Sequence, residues 1–236
     1  MSVALPIAQR NRVIPGSDGN VENIIIIGGK GTAVNVAEQI DDAHRRFGIR
    51  QRVRGFAIDD PSLGRSIAGF PVVCGTREVS DHARDAGAKV IFALYRPEAM
   101  RERVELLASY GLPPELFTSF VHPQAYVGKS ASIGRGSVVF AHASLMKGVA
   151  VGDFCILNSQ VIVEHDTRVG DNCFLGAGAC VGADITLGRG VFIGMQAVLR
   201  PGISVGDFAF VNMGAIVTRD VEHSAQVHHD RDRRAH

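Results

Sequence analysis

Residues 151–199 read VGDFCILNSQVIVEHDTRVGDNCFLGAGACVGADITLGRGVFIGMQAVL, and an aliphatic residue returns at every sixth position. The same step extends from Val121 to Val217, and a small or β-branched residue stands four places after each aliphatic one. Neither an amphipathic helix nor a β-hairpin has a six-residue period. The period predicts a parallel β-helix over residues 121–221, with three hexads in each coil, so that equivalent positions of successive coils stack on one another.

The outward residues of this β-helix can be assigned to three flat faces. Two faces are largely apolar and the third is polar. The apolar residues are Val138, Ile156, Phe174, Phe192 and Phe210 on one face, and Tyr126, Ile162, Cys180, Val198 and Ile216 on the other. Two apolar faces predict packing on two sides, as in a homotrimer, where one heterologous contact closes after three subunits. Packing of the N-terminal region against one face is the alternative.

The region before the repeat, residues 23–120, alternates short apolar runs with amphipathic stretches. This alternation predicts a small α/β domain with a parallel sheet. We expect strands at 23–28, 53–58, 71–74 and 89–94, helices at 32–47, 76–86 and 97–110, and a loop at 59–70. Residues 1–22 and 222–236 are interpreted as tails, and the second, rich in His, Arg and Asp, as disordered.

Composition excludes several classes of function. The formal net charge of +1 gives no electrostatic footprint for nucleic acid. No apolar run approaches the length of a membrane span, so we expect no membrane insertion. The four cysteines form neither a CxxC pair nor a disulfide framework, which favours a reducing, cytoplasmic location.

Two stretches carry a resemblance to a known family: ILNSQVIVEHD at 156–166 with the hexads that follow it, and GFAIDDPSLGRSIAGFPVV at 55–73. They resemble the sialic acid O-acetyltransferase and nucleotide-aminosugar N-acetyltransferase group of the hexapeptide-repeat acyltransferases. The resemblance implies a Rossmann-like domain followed by a left-handed β-helix, a homotrimer, and acetyl-CoA as the acyl donor.

His165 stands at a corner of the predicted prism, where a side chain can point outward, and Asp166 follows it. An imidazole titrates near neutrality and can take the proton of an attacking amine or hydroxyl, and a neighbouring carboxylate would orient it. The resemblance implies that His165 is the general base, that Asp166 assists it and that Asn158 contacts the acceptor sugar. A solvated corner histidine is the alternative, and it is the interpretation for His142 and His122.

The turn GGKG at 28–31 opens a helix whose N-terminal amides can hold a phosphate. As a dinucleotide fingerprint it is incomplete, because the third glycine falls on Val34. The resemblance assigns Lys30, Gly31, Thr32, Asp59 and Asp60 to the nucleotide of a nucleotide-linked sugar, and a plain strand-to-helix turn is the alternative. Tyr95 lies near the same sheet edge and could stack on a base.

Three residues are assigned to acetyl-CoA. The family has a second histidine nine residues after the catalytic one, and this position is Phe174 here. Ala183 and Pro201 stack in register with His165 on the next two coils. No set of three histidine ligands is apparent, so we expect no metal.

The leading hypothesis is therefore an acetyl-CoA-dependent N-acetyltransferase that acts on the amine of a nucleotide-linked aminosugar by direct transfer. O-Acetylation of a sugar hydroxyl uses the same base and is not separated from it by sequence. A non-catalytic trimeric nucleotide-binding scaffold is the alternative outside enzymes.

Overall fold

The computed structural model describes residues 21–228, which divide into two units. An α/β unit comprises residues 21–123 with 135–138, and a β-helix unit comprises residues 124–134 and 139–228. Residues 1–20 and 229–236, which belong to the two predicted tails, lie outside the described residues.

The α/β unit contains a five-stranded sheet whose strands are β1 (Glu22–Ile27), β2 (Gln51–Ala57), β3 (Ser66–Ile67), β4 (Phe70–Cys74) and β5 (Ala88–Phe92). Their order is β3-β4-β2-β1-β5, and all pairings are parallel except that of β3 with β4. The inner strand β1, which pairs with β2 and β5, is fully buried over Ile24–Ile27, and this burial explains its continuous apolar sequence.

The helices of this unit are α1 (Thr32–Phe47), α2 (Val79–Asp85) and α3 (Met100–Ser109). The buried residues of α1 recur at three- and four-residue steps along one face, at Ala33, Val36, Ala37, Ile40 and Ala43. Gly48 ends α1 in the left-handed conformation and donates its N–H to the carbonyl of His44. Short 3-10 helices occupy Pro61–Leu63, Pro97–Ala99 and Pro114–Leu116.

The predicted α/β architecture is confirmed, and the segment 59–70 differs from its prediction as a loop. It contains the first of these 3-10 helices and strand β3, which forms a hairpin with β4. A strand as short as β3 cannot show alternation, so the sequence pattern could not reveal it.

The β-helix is built from very short strands in three parallel sheets. The first sheet contains β7 (Tyr126–Val127), β10 (Ser144–Leu145), β13 (Ile162–Val163), β16 (Cys180–Val181), β19 (Val198–Leu199) and β22 (Ile216–Val217). The second contains β8 (Ser132–Ile133), β11 (Ala150–Val151), β14 (Arg168–Val169), β17 (Thr186–Leu187) and β20 (Ser204–Val205). The third contains β6 (Phe120–Val121), β9 (Val138–Val139), β12 (Ile156–Leu157), β15 (Phe174–Leu175), β18 (Phe192–Ile193), β21 (Phe210–Val211) and β23 (Gln226–Val227).

Strand partners on neighbouring coils lie three hexads apart in sequence, as Leu157 and Leu175 show, so the predicted stacking is confirmed. The aliphatic residue of each hexad points inward, and those from Leu145 to Val211 are almost completely buried. Full burial of such a side chain stabilises the fold by roughly 1.5–3 kcal/mol. Cys155 and Cys173 are buried in this core, as their small-residue positions predict.

The corners between sheets depend on residues in the left-handed conformation. Asp166 and Asp184 have φ of 60° and 55°, which asparagine and aspartate tolerate better than most residues. At another corner, Oδ1 of Asp207 accepts the backbone N–H of Arg189 on the preceding coil, at 2.8 Å. Side chains at the corners therefore either tie neighbouring coils together or project into solvent.

The last coil departs from the predicted register. Val205 pairs with Val221, and Val211 with Val227, so this coil is shorter than the three hexads of the coils before it. Val221 thus pairs with Val205 in an isolated bridge, a pairing that the predicted register had placed at position 223. Val221 is buried, and Gln226–Val227 form a further strand, so residues 222–228 continue the β-helix and the disordered tail predicted from Glu222 is wrong for them.

No helix between residues 21 and 228 is long and apolar enough to cross a bilayer.

Candidate active site

His165 and Asp166 lie at the corner between β13 and β14. This corner is anchored by Thr167, which is buried and donates its hydroxyl to the carbonyl of Gly182 at 2.8 Å. The same hydroxyl oxygen accepts the N–H of Ile185 at 3.0 Å. With Thr167 fixed inside the coil, the two preceding side chains project outward, and their exposed fractions are 52% for His165 and 42% for Asp166.

The two side chains form a pair. Nδ1 of His165 lies 3.1 Å from Oδ2 of Asp166, and Nζ of Lys147 lies 3.1 Å from the same oxygen. The pKa of Asp166 lies below its usual value. The hydrogen bond from Lys147 is the largest cause, and the hydrogen bond from His165 is the second. An ionised Asp166 can only accept, so Nδ1 carries the ring proton and the lone pair lies on Nε2. This is the arrangement of a general base oriented by a carboxylate.

Asp184 completes the corner from the next coil, and sequence reasoning missed it. Its N–H donates to the carbonyl of His165 at 3.1 Å. The ligand atoms of His165, Asp166 and Asp184 all lie within 4.8 Å of one another. Such a group could hold a metal ion, but the ammonium of Lys147 already occupies Asp166 and opposes a divalent cation. The absence of a metal from the reaction stays a prediction.

Asn158 lies at the preceding corner, between β12 and β13, and so not beside His165. Its Nδ2 donates to the carbonyl of Leu175 on the next coil at 2.8 Å. The structure thus gives this amide nitrogen a role in joining two coils. A contact between Asn158 and the acceptor sugar stays a prediction.

The three residues assigned to acetyl-CoA fall in two places. Ala183 and Pro201 share the corner column of His165, and Gly202 donates its N–H to the carbonyl of Ala183 at 2.9 Å. Phe174 instead lies on the third sheet, where its ring stacks on Phe192 with centroids 5.3 Å apart. The step from His165 to Phe174 turns half a coil, so within one chain the two side chains are not brought together.

The α/β unit has a cavity of about 490 Å³ at the carboxyl ends of β1, β2 and β5. It brings together three of the predicted nucleotide contacts, which are Lys30, Asp60 and Tyr95. Nζ of Lys30 lies 3.0 Å from Oδ2 of Asp60. The pKa of Asp60 is lowered, mainly by the hydrogen bond from the side chain of Ser62 and next by the hydrogen bond from Lys30.

Gly31, Thr32 and Asp59 do not line this cavity. Gly31, with φ of 51°, forms the turn into α1, whose first residue is Thr32. The carboxylate of Asp59 accepts the N–H of Thr76 at 2.8 Å and its hydroxyl at 2.5 Å, and the hydroxyl contact is the main cause of the lowered pKa of Asp59. Asp59 therefore braces the chain between β4 and α2.

Two cavity residues, Arg96 and Arg103, were not predicted from sequence. Nε of Arg103 is buried and has no hydrogen-bond partner among residues 21–228. Arg96 immediately follows Tyr95 and could have been found by extending that motif by one residue. Arg103 lies within α3, and only the fold shows that it reaches the cavity. A separate cavity of about 570 Å³ at the last coil, lined by residues 216–222 and 225–228, contains none of the predicted site residues.

A family model described as the hexapeptide repeat of succinyl-transferase matches residues 166–190 and 184–219. The acetyltransferase domain of PglB from Neisseria gonorrhoeae is 27% identical, with a TM-score of 0.73 over 87% of this chain and 95% of that one. PerB from Caulobacter crescentus, solved with CoA and GDP-perosamine, is 26% identical, with a TM-score of 0.72 over 87% of this chain and 93% of that one. The hexapeptide repeat and the similarity to these two acetyltransferases support the assignment of this chain as an acyltransferase.

The family resemblance and the fold class of this acyltransferase are thereby confirmed, including the left-handed β-helix. WeeI from Acinetobacter baumannii shares the fold at 21% identity, with a TM-score of 0.70 over 89% of this chain and 98% of that one. No curated protein matches the acyltransferase in sequence.

Proposed function

We propose that this acyltransferase transfers the acetyl group of acetyl-CoA to the amine of a nucleotide-linked aminosugar. The observation that carries the proposal is the pairing of His165 with an ionised Asp166 at an exposed corner. The comparisons support the substrates: PerB was solved with CoA and GDP-perosamine, and the PglB domain with acetyl coenzyme A.

The mechanism is direct transfer. The neutral amine attacks the thioester carbonyl, which forms the C–N bond, while Nε2 of His165 takes a proton from the nitrogen. The tetrahedral intermediate then breaks its C–S bond, His165 gives that proton to the sulfur, and CoA leaves as the thiol. Asp166 stabilises the imidazolium formed in between. Backbone N–H groups of the β-helix would polarise the carbonyl, so no covalent enzyme intermediate is required.

The nucleotide is assigned to the cavity of the α/β unit. Lys30, Arg96 and Arg103 supply three cationic side chains to its lining, and a diphosphate is the matching anion. The unpartnered Nε of Arg103 offers a donor that a phosphate oxygen would satisfy. Tyr95 lies in the same lining and supplies a ring on which a base can stack.

We also propose a homotrimer. Four apolar side chains of the first sheet are exposed in the single chain: Tyr126 by 58%, Ile162 by 38%, Val198 by 44% and Ile216 by 70%. Their alignment along one face leaves an apolar strip that a monomer would expose to water. A neighbouring copy that covers this strip with a different face would close after three subunits.

Release of CoA thiol from acetyl-CoA tests the function. The acceptors are GDP-perosamine, UDP- and dTDP-linked aminosugars, and free sialic acid. We expect turnover with an aminosugar, and we expect His165→Ala to reduce kcat by about a hundredfold or more. His142→Asn is the control, because His142 is an exposed corner histidine whose left-handed backbone asparagine tolerates, and this variant should keep wild-type rates. Turnover with sialic acid alone would favour O-acetylation. Absence of turnover and of stabilisation by CoA would favour the scaffold.

A further inference from the structure

Charge is unevenly distributed at the corner of His165. Asp166 carries its negative charge against the ammonium of Lys147, 3.1 Å away, so the two nearly cancel. Asp184 is exposed, and its carboxylate receives no hydrogen bond or ion pair from any residue between 21 and 228. One uncompensated negative charge therefore remains within 4.8 Å of the base.

An amine and a hydroxyl differ in how they meet such a charge. At neutral pH an aliphatic amine arrives mostly as an ammonium, whereas a sugar hydroxyl is neutral. A carboxylate accepts a charge-assisted hydrogen bond from an ammonium, and this bond is about twice as strong as one between neutral groups. An exposed, unpaired carboxylate beside the base thus favours an amine acceptor.

We infer that Asp184 is the specificity-determining residue that captures the acceptor as an ammonium beside His165. The inference rests on the proposed function and deepens it, because it assigns the choice of amine over hydroxyl to one side chain. The captured ammonium first gives one proton to water. The neutral amine, still within reach of Nε2, then follows the transfer described above, in which a second proton passes to His165 and on to the thiolate.

A purely structural role does not account for this carboxylate. Its contact with the preceding coil is made by the backbone N–H, 3.1 Å from the carbonyl of His165, and not by the side chain. Asparagine tolerates the left-handed backbone as well as aspartate does. Asp184→Asn should therefore keep the coil and remove only the charge.

The experiment compares wild type, Asp184→Asn, Asp184→Glu and the control Asp207→Asn. Asp207 is also a corner aspartate, but its carboxylate binds the N–H of Arg189 at a different corner. Thiol release is measured with the best aminosugar of the GDP-, UDP- and dTDP-linked panel. Binding of that sugar and of its analogue with a hydroxyl in place of the amine is measured by calorimetry.

For Asp184→Asn we expect KM to rise about tenfold with kcat within about threefold, because one charge-assisted hydrogen bond is lost before the chemical step. Affinity for the hydroxyl analogue should stay within about twofold, since its acceptor group carries no positive charge for Asp184 to bind. Asp184→Glu should recover part of the lost affinity, and the control should behave as wild type.

Equal loss of affinity for the amine and the hydroxyl analogue, or an unchanged KM in an active Asp184→Asn, would overturn the inference while leaving the proposed function standing. If Asp184→Asn unfolds, Asp184→Glu is the test. A folded Asp184→Glu that binds the amine in preference to the hydroxyl analogue as wild type does supports the inference. A folded Asp184→Glu that binds both equally overturns it. A wild type that acetylates no aminosugar of the panel would overturn both.

Discussion

Lys147 and Asp166 lie on neighbouring coils, and Nζ of the lysine is 3.1 Å from Oδ2 of the aspartate. The stacking of successive coils places Lys147 directly above His165, so the lysine reaches the carboxylate partner of His165 from the preceding coil. Because both groups are exposed, their mutual attraction adds little to stability. The effect of this contact is on the ionisation of Asp166.

Lys147→Met should raise the pKa of Asp166 toward the ordinary carboxyl value of about 3.9. The sign follows from the cause: the hydrogen bond from Lys147 makes the largest contribution to the lowered pKa of Asp166. NMR titration of the side-chain carboxyl carbon measures the change. Asp166 is ionised at pH 7 in both proteins, so turnover there should change by less than about threefold. An unchanged titration midpoint would show that Lys147 does not reach Asp166 in solution.

Asp166→Asn should reduce kcat by about tenfold or more, because a neutral amide stabilises the imidazolium less than a carboxylate does. KM should stay within about threefold if Asp166 orients the base and does not bind the acceptor. The left-handed backbone at this position, with φ of 60°, suits asparagine, so the thermal unfolding midpoint should be retained. A full loss of folded protein would instead assign Asp166 to the structure of the corner.

Lys30→Met and Arg103→Met should each weaken the binding of free GDP or UDP by about tenfold, since each removes a charged donor from the cavity. Titration calorimetry with the free nucleotide isolates this contribution from acyl transfer. Arg54→Met is the control, because it removes one exposed cation of β2 that does not line the cavity. Equal affinities in all three variants would exclude the cavity as the nucleotide site.

The β-helix could be predicted closely because its register depends on a local repeat. Each inward aliphatic residue is fixed by the six-residue step, and the step gives both the stacking and the corners, including that of His165. The register failed only at the last coil, where Val221 replaces an expected partner at position 223. Val221 was compatible with the small-residue register as well, so the shortening left no mark in the pattern.

The residues around the sites were harder to predict for two different reasons. Lys147 stands one coil before His165 and Asp184 one coil after Asp166, so the repeat already contains their positions. The repeat does not indicate which side chains of neighbouring corners contact one another. Arg103 depends instead on the packing of α3 at the sheet edge, which periodicity does not give. Asp59 carries the side chain that the family pattern requires, but a local contact with Thr76 occupies its carboxylate.

Asp59→Asn should destabilise the α/β unit and leave nucleotide affinity within about twofold. The pKa of Asp59 is lowered in the folded protein, chiefly by the hydroxyl of Thr76, so its ionised form stabilises the fold. This contribution is fully present above the ordinary carboxyl pKa of about 3.9 and is lost as the pH falls through the lowered pKa of the folded state.

Thermal unfolding of wild type and Asp59→Asn between pH 3 and 7 checks this sign. We expect the variant to melt about 2–4 °C lower at pH 7 and the difference to shrink below about pH 4. A difference that grows toward acid pH would contradict the assignment. A loss of nucleotide affinity without a loss of stability would return Asp59 to the nucleotide site.

Ile216→Lys should break the proposed homotrimer. The side chain of Ile216 is 70% exposed in the single chain, in the same strip as Val198, and a neighbouring subunit that covers the strip would have to bury the new charge without a partner. The molar mass measured by light scattering should then fall from three times the chain mass of 25.2 kDa toward the mass of a single chain. Thr186→Lys places the same charge on an exposed position of the polar second sheet and should leave the mass unchanged. A wild-type protein that scatters as a single chain, or a trimer that survives Ile216→Lys but not Thr186→Lys, would show that the first sheet does not form the interface.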